Sequence, residues 1–251
     1  MSADEQQNKP FKIKLRINAE ELSHVANDIC ENMDSMFVKP QLSLTADDIG
    51  KEIKGEGIYL GTYTPVDRDG VSLKKVFNVF AAPEDLFIEG SEPVSFLQNI
   101  FKTTKATTTQ RIETFKYVDA LKHVKVLKNF HGHDGTDYAT DKELYAALKD
   151  GAYNGGWIIP TRDILHGKDV DGKNTTPDNI LAHKDKGSLK GTFKMATSNG
   201  SDCPHWYWSS TQHPDLSSCV YSVRFSDGHQ GWDLNDTNRL SCRPVRLVVI
   251  K

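Results

Sequence analysis

Three short β-type runs dominate the end of the chain, residues 206–211, 220–225 and 245–250, with Ser226-Asp227-Gly228 as a turn among them. What precedes them decides the fold class. Residues 55–65 and 71–82 are also β-rich, and Val66-Asp67-Arg68-Asp69-Gly70 joins them. The Asp-Gly step marks a hairpin, and Pro83-Glu84-Asp85 breaks the second strand. An amphipathic helix is predicted around residues 115–127, with Val118, Leu121, Val124 and Val126 apolar. A second is predicted over 141–149, capped by Thr140 or Asp141 and closed by Asp150-Gly151. The word Gly155-Gly156-Trp157-Ile158-Ile159-Pro160-Thr161 reads as a short apolar strand. It feeds a helical turn at 162–165 capped by Thr161. Residues 166–200 are polar and turn-rich. A hairpin, two helices and then several strands predict an α+β fold without internal repeats.

Upstream, residues 1–10 are polar and read as disorder. Phe11, Ile13, Leu15 and Ile17 alternate with charged or polar residues, the period of a half-buried strand. Asn18 then caps a helix whose apolar stripe is Leu22, Val25, Ile29 and Met33, ending near Met36. The expected organisation is therefore a short N-terminal strand-and-helix extension over 1–55 and a main domain over 56–251. The extension suits docking or oligomerisation. A Thr- and Lys-rich stretch, 102–109, reads as a loop.

A chain of 251 residues can bury a full core without staples. A formal net charge of −3 argues against an electrostatic grip on nucleic acid or on an anionic membrane. The N-terminus has no basic and apolar leader, and no apolar run reaches membrane-spanning length. The expectation is a cytoplasmic or virion-associated protein with neither membrane insertion nor nucleic acid as a partner. Cys30, Cys203, Cys219 and Cys242 form no Cys-x-x-Cys pair and have no metal-ligand spacing with histidine, so free thiols in a reduced compartment are expected. A Cys203–Cys242 bridge is the alternative.

The tail has an unusual composition. Residues 196–250 contain no Lys, Glu or Met, although these types supply 38 of the 251 residues and roughly eight would be expected there. Buried strands disfavour lysine and glutamate. Yet this tail is rich in Ser, Asp, Asn, His, Arg, Tyr and Cys, so burial alone does not account for the bias. A recognition surface does: aromatic, small polar and Arg side chains give rigid contact area and adaptable hydrogen bonds.

Four words stand in order: Trp157-Ile158-Ile159-Pro160-Thr161; Trp206-Tyr207-Trp208-Ser209-Ser210-Thr211; Phe225-Ser226-Asp227-Gly228; and Arg239-Leu240-Ser241-Cys242-Arg243-Pro244-Val245-Arg246. Together they resemble a bacterial family, the C-terminal domain of Legionella collagen-like proteins, related to the formylglycine-generating-enzyme branch of the C-type lectin fold. The resemblance covers 153–246 well and 56–251 loosely. Members with such a tail resemble the variable proteins of diversity-generating retroelements, in which adenine-directed mutagenesis rewrites selected codons.

The resemblance implies a C-type-lectin-like scaffold, of phage or bacterial origin, presenting exchangeable side chains. Asparagine codons altered only at adenines cannot encode Lys, Glu, Met, Gln or Trp, which matches the bias. The exchangeable, ligand-binding residues are then His213, Asp215, Ser217, Ser218, Cys219, Tyr221, Ser222, Arg224, His229, Asp233, Leu234, Asn235, Thr237 and Asn238. Gln212 and Gln230 fall outside the accessible set and read as fixed. Trp206, Trp208 and Trp232 are expected as buried framework, with Arg243 and Arg246 locking strands through hydrogen bonds. Cys219 is expected as an unpaired thiol within the surface.

The implied partner is a protein or glycan of unknown identity, with no cofactor and no catalysis. Competing chemistry has weaker support. His131-Gly132-His133-Asp134 offers zinc or iron donors, but i, i+2 histidines in a Gly-rich turn lack a third ligand at a marked spacing. Trp232-Asp233-Leu234-Asn235-Asp236 and Asp169-Val170-Asp171-Gly172-Lys173-Asn174 hold oxygen donors, but too few for a calcium site. A metal- or thiol-dependent enzyme is one alternative. A structural virion component that docks or trimerises through residues 1–55 is another.

Overall fold

The computed structural model describes residues 43–90, 110–129, 131–168, 171–173, 178–197 and 199–250. The expected strand at 11–17, the helix at 18–36 and the loop at 102–109 lie outside them, as do Asp169, Val170 and Asn174. The compact unit described here is Ser43–Lys251.

In chain order the elements are β1 (Glu52–Ile53), β2 (Gly57–Tyr63), β3 (Phe77–Ala81), β4 (Ile88–Gly90) and β5 (Gln110–Ile112). Four helices follow: α1 (Tyr117–Lys125), α2 (Asp141–Asp150), α3 (Arg162–His166) and α4 (Ile180–His183). The tail then forms β6 (Asp202–Gln212), β7 (Cys219–Arg224), β8 (Gln230–Leu234), β9 (Arg239–Ser241) and β10 (Val245–Val249). The fold is α+β. One four-stranded antiparallel sheet runs β1-β2-β3-β10, and a second runs β8-β7-β6-β9, with β9 parallel to β6. β4 and β5 form a separate antiparallel pair.

The predicted hairpin is present as β2 and β3. Its loop is held by the Asp67 carboxylate, which accepts hydrogen bonds from the Asp69 and Val71 amides at 3.0 and 2.7 Å. β10 pairs with β3 from Val245↔Ala81 to Val249↔Phe77, so residues 164 or more positions apart complete this sheet. One core cluster lies on it, with Ile58, Leu60, Phe77, Val79 and Leu247 against Leu144 and Leu148 of α2 and Ile164 and Leu165 of α3. A second cluster gathers Phe115, Tyr117 and Val124 around Trp206, Trp208 and Leu240. Burying a side chain such as Leu or Phe contributes about 1.5–3 kcal/mol.

α2 begins and ends as its sequence indicates. The Thr140 hydroxyl accepts from the Glu143 amide, and Gly151 closes the helix at φ 73°. α1 differs in its buried face. Tyr117, Ala120 and Val124 are buried, whereas Val118 and Val126 are 37% and 67% exposed. The apolar word at 155–161 forms a single bridge, Ile158↔Val245, rather than a strand. The polar stretch 166–200 contains α4 and a 3-10 turn at Gly187–Leu189. β8 and β9 were not expected. Their Gly, Asp and Asn neighbours have low strand propensity, and pairing with β7 and β6 overrides it. Cys203, Cys219 and Cys242 are free and buried, so the Cys203–Cys242 bridge is not formed.

Candidate recognition surface

The four motif words meet in space. β6 carries a bulge where Trp208↔Ser222 gives way to Gln212↔Val220, so four residue steps on β6 face two on β7. The bulge is Ser209-Ser210-Thr211, and it docks on the first word. The Ser210 amide donates to the Pro160 carbonyl at 2.8 Å, the Thr211 hydroxyl accepts from the Arg162 amide at 2.9 Å, and the Ser209 hydroxyl donates to the Tyr221 carbonyl at 2.9 Å. Ile158 and Val245 exchange backbone hydrogen bonds at 2.8 and 2.9 Å, joining the first word to the last. Phe225 of the third word stacks on Phe193 at 4.5 Å.

The two arginines expected to lock strands through hydrogen bonds do bond widely, but to loop and turn groups rather than from strand to strand. Arg243 is fully buried. Its guanidinium donates to Asp85 Oδ1 at 2.7 Å and to the Thr192 carbonyl at 2.9 Å. Arg246 pairs with Glu56 at 2.8 Å and tethers β10 to the β1–β2 turn. Trp208 is fully buried, its indole N–H donating to the Phe115 carbonyl at 2.7 Å. The two glutamines outside the accessible set both have structural bonds: Gln212 donates to the Ser217 carbonyl at 2.8 Å, and Gln230 accepts from Arg162 Nε at 2.5 Å.

The residues expected to be exchangeable fall on β7, β8 and the loops at either end of β7 and β8. Asp215, Ser217, Ser218, His229, Leu234 and Thr237 are exposed. His213, Tyr221, Arg224, Asp233, Asn235 and Asn238 are half-buried. Two expectations are corrected. Cys219 is 2% exposed and Ser222 is fully buried, so neither side chain belongs to the outer surface. Strand alternation explains Ser222: Tyr221 stands on the outer face, and its neighbour points inward. The Ser222 hydroxyl donates to Asp233 Oδ2 at 2.5 Å, and Asn238 donates to Asp233 Oδ1 at 2.7 Å. Both Asp233 oxygens are thereby engaged, one tying β8 to β7 and the other holding the 235–238 turn. Arg224 is similarly occupied, in a two-point pair with Asp227 at 2.9 and 2.5 Å and a bond to the Thr197 carbonyl. That guanidinium holds the Asp227 carboxyl well below the ordinary carboxylate range.

A third correction concerns Trp232. It is 52% exposed rather than buried, because it lies on edge strand β8 directly opposite Tyr221. The His213 ring stacks on Tyr221 at 5.7 Å and meets Trp232 edge-on at 5.6 Å. The Arg162 guanidinium sits 4.0 Å from the Tyr221 ring centre. The result is an aromatic platform of Tyr221, His213 and Trp232, extended by Leu234, which is 41% exposed. Its sequence signal was the alternation Gln230, Trp232, Leu234, masked by intervening Gly231 and Asp233. On the inner side, Gly231 lets the Trp206 ring approach, since a Cβ there would stand 3.1 Å from it. His229 meets the same ring at 5.7 Å.

The histidine word at 131–134 forms a turn. Asn129 Oδ1 accepts from the His131 and His133 amides at 2.9 and 3.0 Å, and His131 Nε2 lies 2.8 Å from Glu56 Oε1. Among the described residues no three His, Cys, Asp or Glu groups cluster as a metal site, and no helix is long and apolar enough to cross a membrane. Compared with known proteins, the chain matches no family model and no curated sequence.

Proposed function

We propose that this chain is a ligand- or receptor-binding protein that displays exchangeable residues on a rigid C-type-lectin-like scaffold and is diversified by a retroelement. The observation that carries this reading is the division of the tail by burial. Ser209, Ser210, Thr211, Leu240, Ser241, Cys242, Arg243, Val245 and Arg246 are at most 4% exposed, whereas twelve of the fourteen residues of the accessible set reach the surface. Exposed substitutions away from special contacts usually change stability by less than about 0.5 kcal/mol, so such a scaffold tolerates exchange most readily at the exposed positions and less so at Arg224, Asp233 and Asn238, which hold turns. The platform of Tyr221, His213 and Trp232 supplies the large aromatic contacts that anchor protein and glycan ligands. Two sheets with the helices between them in sequence are compatible with a lectin-like arrangement, which rests on the four ordered words.

The test is a library in which the twelve surface positions take residues reachable from asparagine codons at adenines, screened against immobilised glycans and proteins. Folded members that select different ligands are expected. Unfolding as frequent as in a control library at the buried words would refute the scaffold. A folded library with no selective binder would refute the recognition role. The retroelement part is read from neighbouring DNA, which should hold a reverse-transcriptase gene and a near-copy of the tail differing mainly at adenines.

A further inference from the structure

A cleft of about 210 Å³ opens between the β2–β3 loop, α2, the start of α3 and Thr211 of the β6 bulge. The geometry points to a binding site for a primary ammonium group on a short aliphatic stem, with Asp163 as its counter-ion. Asp163 lines this cleft and is 7% exposed. Its carboxylate accepts hydrogen bonds from the Tyr63 hydroxyl at 2.8 Å, the Ile164 amide at 2.9 Å and the Thr161 hydroxyl. None of these donors carries a charge. Among the described residues no cation lies within ion-pair distance of it, and burial pushes its carboxyl up from the ordinary 3.8. A desolvated carboxylate bonded only to neutral groups is the arrangement that an entering cation stabilises most.

The walls agree in sign. Asp67, Asp69 and Asp141 line the cleft beside Arg68 and Lys142. Arg68 is already committed, in a two-point pair with Asp141 at 2.8 and 3.3 Å and a bond to the Gln212 carbonyl at 3.1 Å. The remaining field favours cations over anions. Pro65, Val66, Leu144 and Leu148 add apolar lining for a stem, and Tyr63 and Tyr145 add rings on which an ammonium can rest. The volume lies below the roughly 300 Å³ at which drug-sized pockets begin, so the ligand has only a few heavy atoms.

The experiment follows amide chemical shifts of the full chain titrated with n-butylammonium, n-butanol or butyrate at constant ionic strength. Saturable shifts at Leu144, Thr161 and Asp163 are expected with butylammonium. Binding of butanol should be at least ~10-fold weaker, and Asp163→Asn should weaken butylammonium by a similar factor. Lys142→Gln, which removes a cation from the rim, is expected to tighten binding. A parallel titration with Nα-acetyl-lysine amide separates the sources: tighter binding than butylammonium indicates a lysine tip, weaker binding a free amine. Equal binding of butanol and butylammonium, or no saturable shifts, would overturn the assignment. If Asp163→Asn does not fold, the Asp163 carboxyl ¹³C titration in the native chain decides. Saturating butylammonium must move it to lower pH, and an unmoved titration rejects the site.

Discussion

Arg243 is a charge with no exposed surface, and everything around it is arranged to accept its protons. Asp85 takes one, the carbonyls of Ala82 and Thr192 take others, and the guanidinium lies 4.4 Å from the Phe193 ring centre. Tyr207 donates to the second Asp85 oxygen at 2.9 Å, and burial pushes the Tyr207 phenol far above its ordinary range. Arg243→Met would strand Asp85 in the interior, with an expected loss of about 3–5 kcal/mol in urea unfolding. Arg243→Lys is expected to recover only part of it, because an ammonium cannot match the planar fork. Asp163 gives the opposite pH signature from a salt-bridged carboxylate. Its folded value is raised, so the native state holds a proton more readily than the unfolded chain. That contribution is fully present below the unfolded pKa of 3.8 and is lost as pH rises through the folded value. Urea unfolding between pH 4 and 7 should therefore show the native chain losing stability relative to Asp163→Asn as pH rises. A gap that stays constant would contradict the raised value.

Elements differ in how much of their environment their own residues announce. α2 was legible because its signals are local: Thr140 caps the first turn, Gly151 takes the left-handed conformation, and both lie next to the helix they bound. The β2–β3 hairpin was legible for the same reason, through Asp67 and Gly70. β8 and β9 were not: β8 is the hairpin neighbour of β7, but Gly231 and Asp233 mask its strand character, and β9 is a strand only through β6, some 34 to 37 residues upstream. The exposure of Trp232 goes with its place on the edge strand opposite Tyr221, whereas Cys219, opposite the exposed Leu234, is buried although it shares the Tyr221 face of β7. α1 misled in another way: its buried stripe is Tyr117, Ala120 and Val124, and Val126, two residues past Val124 at the C-cap, falls on the opposite face. The two tryptophans make the contrast measurable. Trp208→Ala should cost about 3–5 kcal/mol in chemical denaturation, as a filled site becomes a cavity. Trp232→Ala should cost less than about 1 kcal/mol, since half the ring is already in water. Comparable losses would place Trp232 in the framework.

At the scale of the molecule, the tail's second sheet shares both core clusters with the first half of the chain, so the described unit should open as a whole. Thiol chemistry reports this. Cys203, Cys219 and Cys242 are buried, and burial also raises the Cys242 thiol well above its ordinary value. In a Cys30→Ser background at pH 8, an aromatic disulfide reagent should label none of the three until denaturant unfolds the chain, and then all three together. Rapid native labelling at Cys219 would show that the 213–218 loop opens on its own. A last consequence concerns synthesis rather than binding. β10 follows residues 213–238 in the chain, yet it is the strand that pairs with Phe77, Val79 and Ala81 of β3. A stop codon or a shifted reading frame anywhere between residues 206 and 244 removes it and leaves an apolar edge uncovered. A chain cut short or shifted there lacks the strand that completes the first sheet, so only a chain decoded in frame through residues 213–238 can close it.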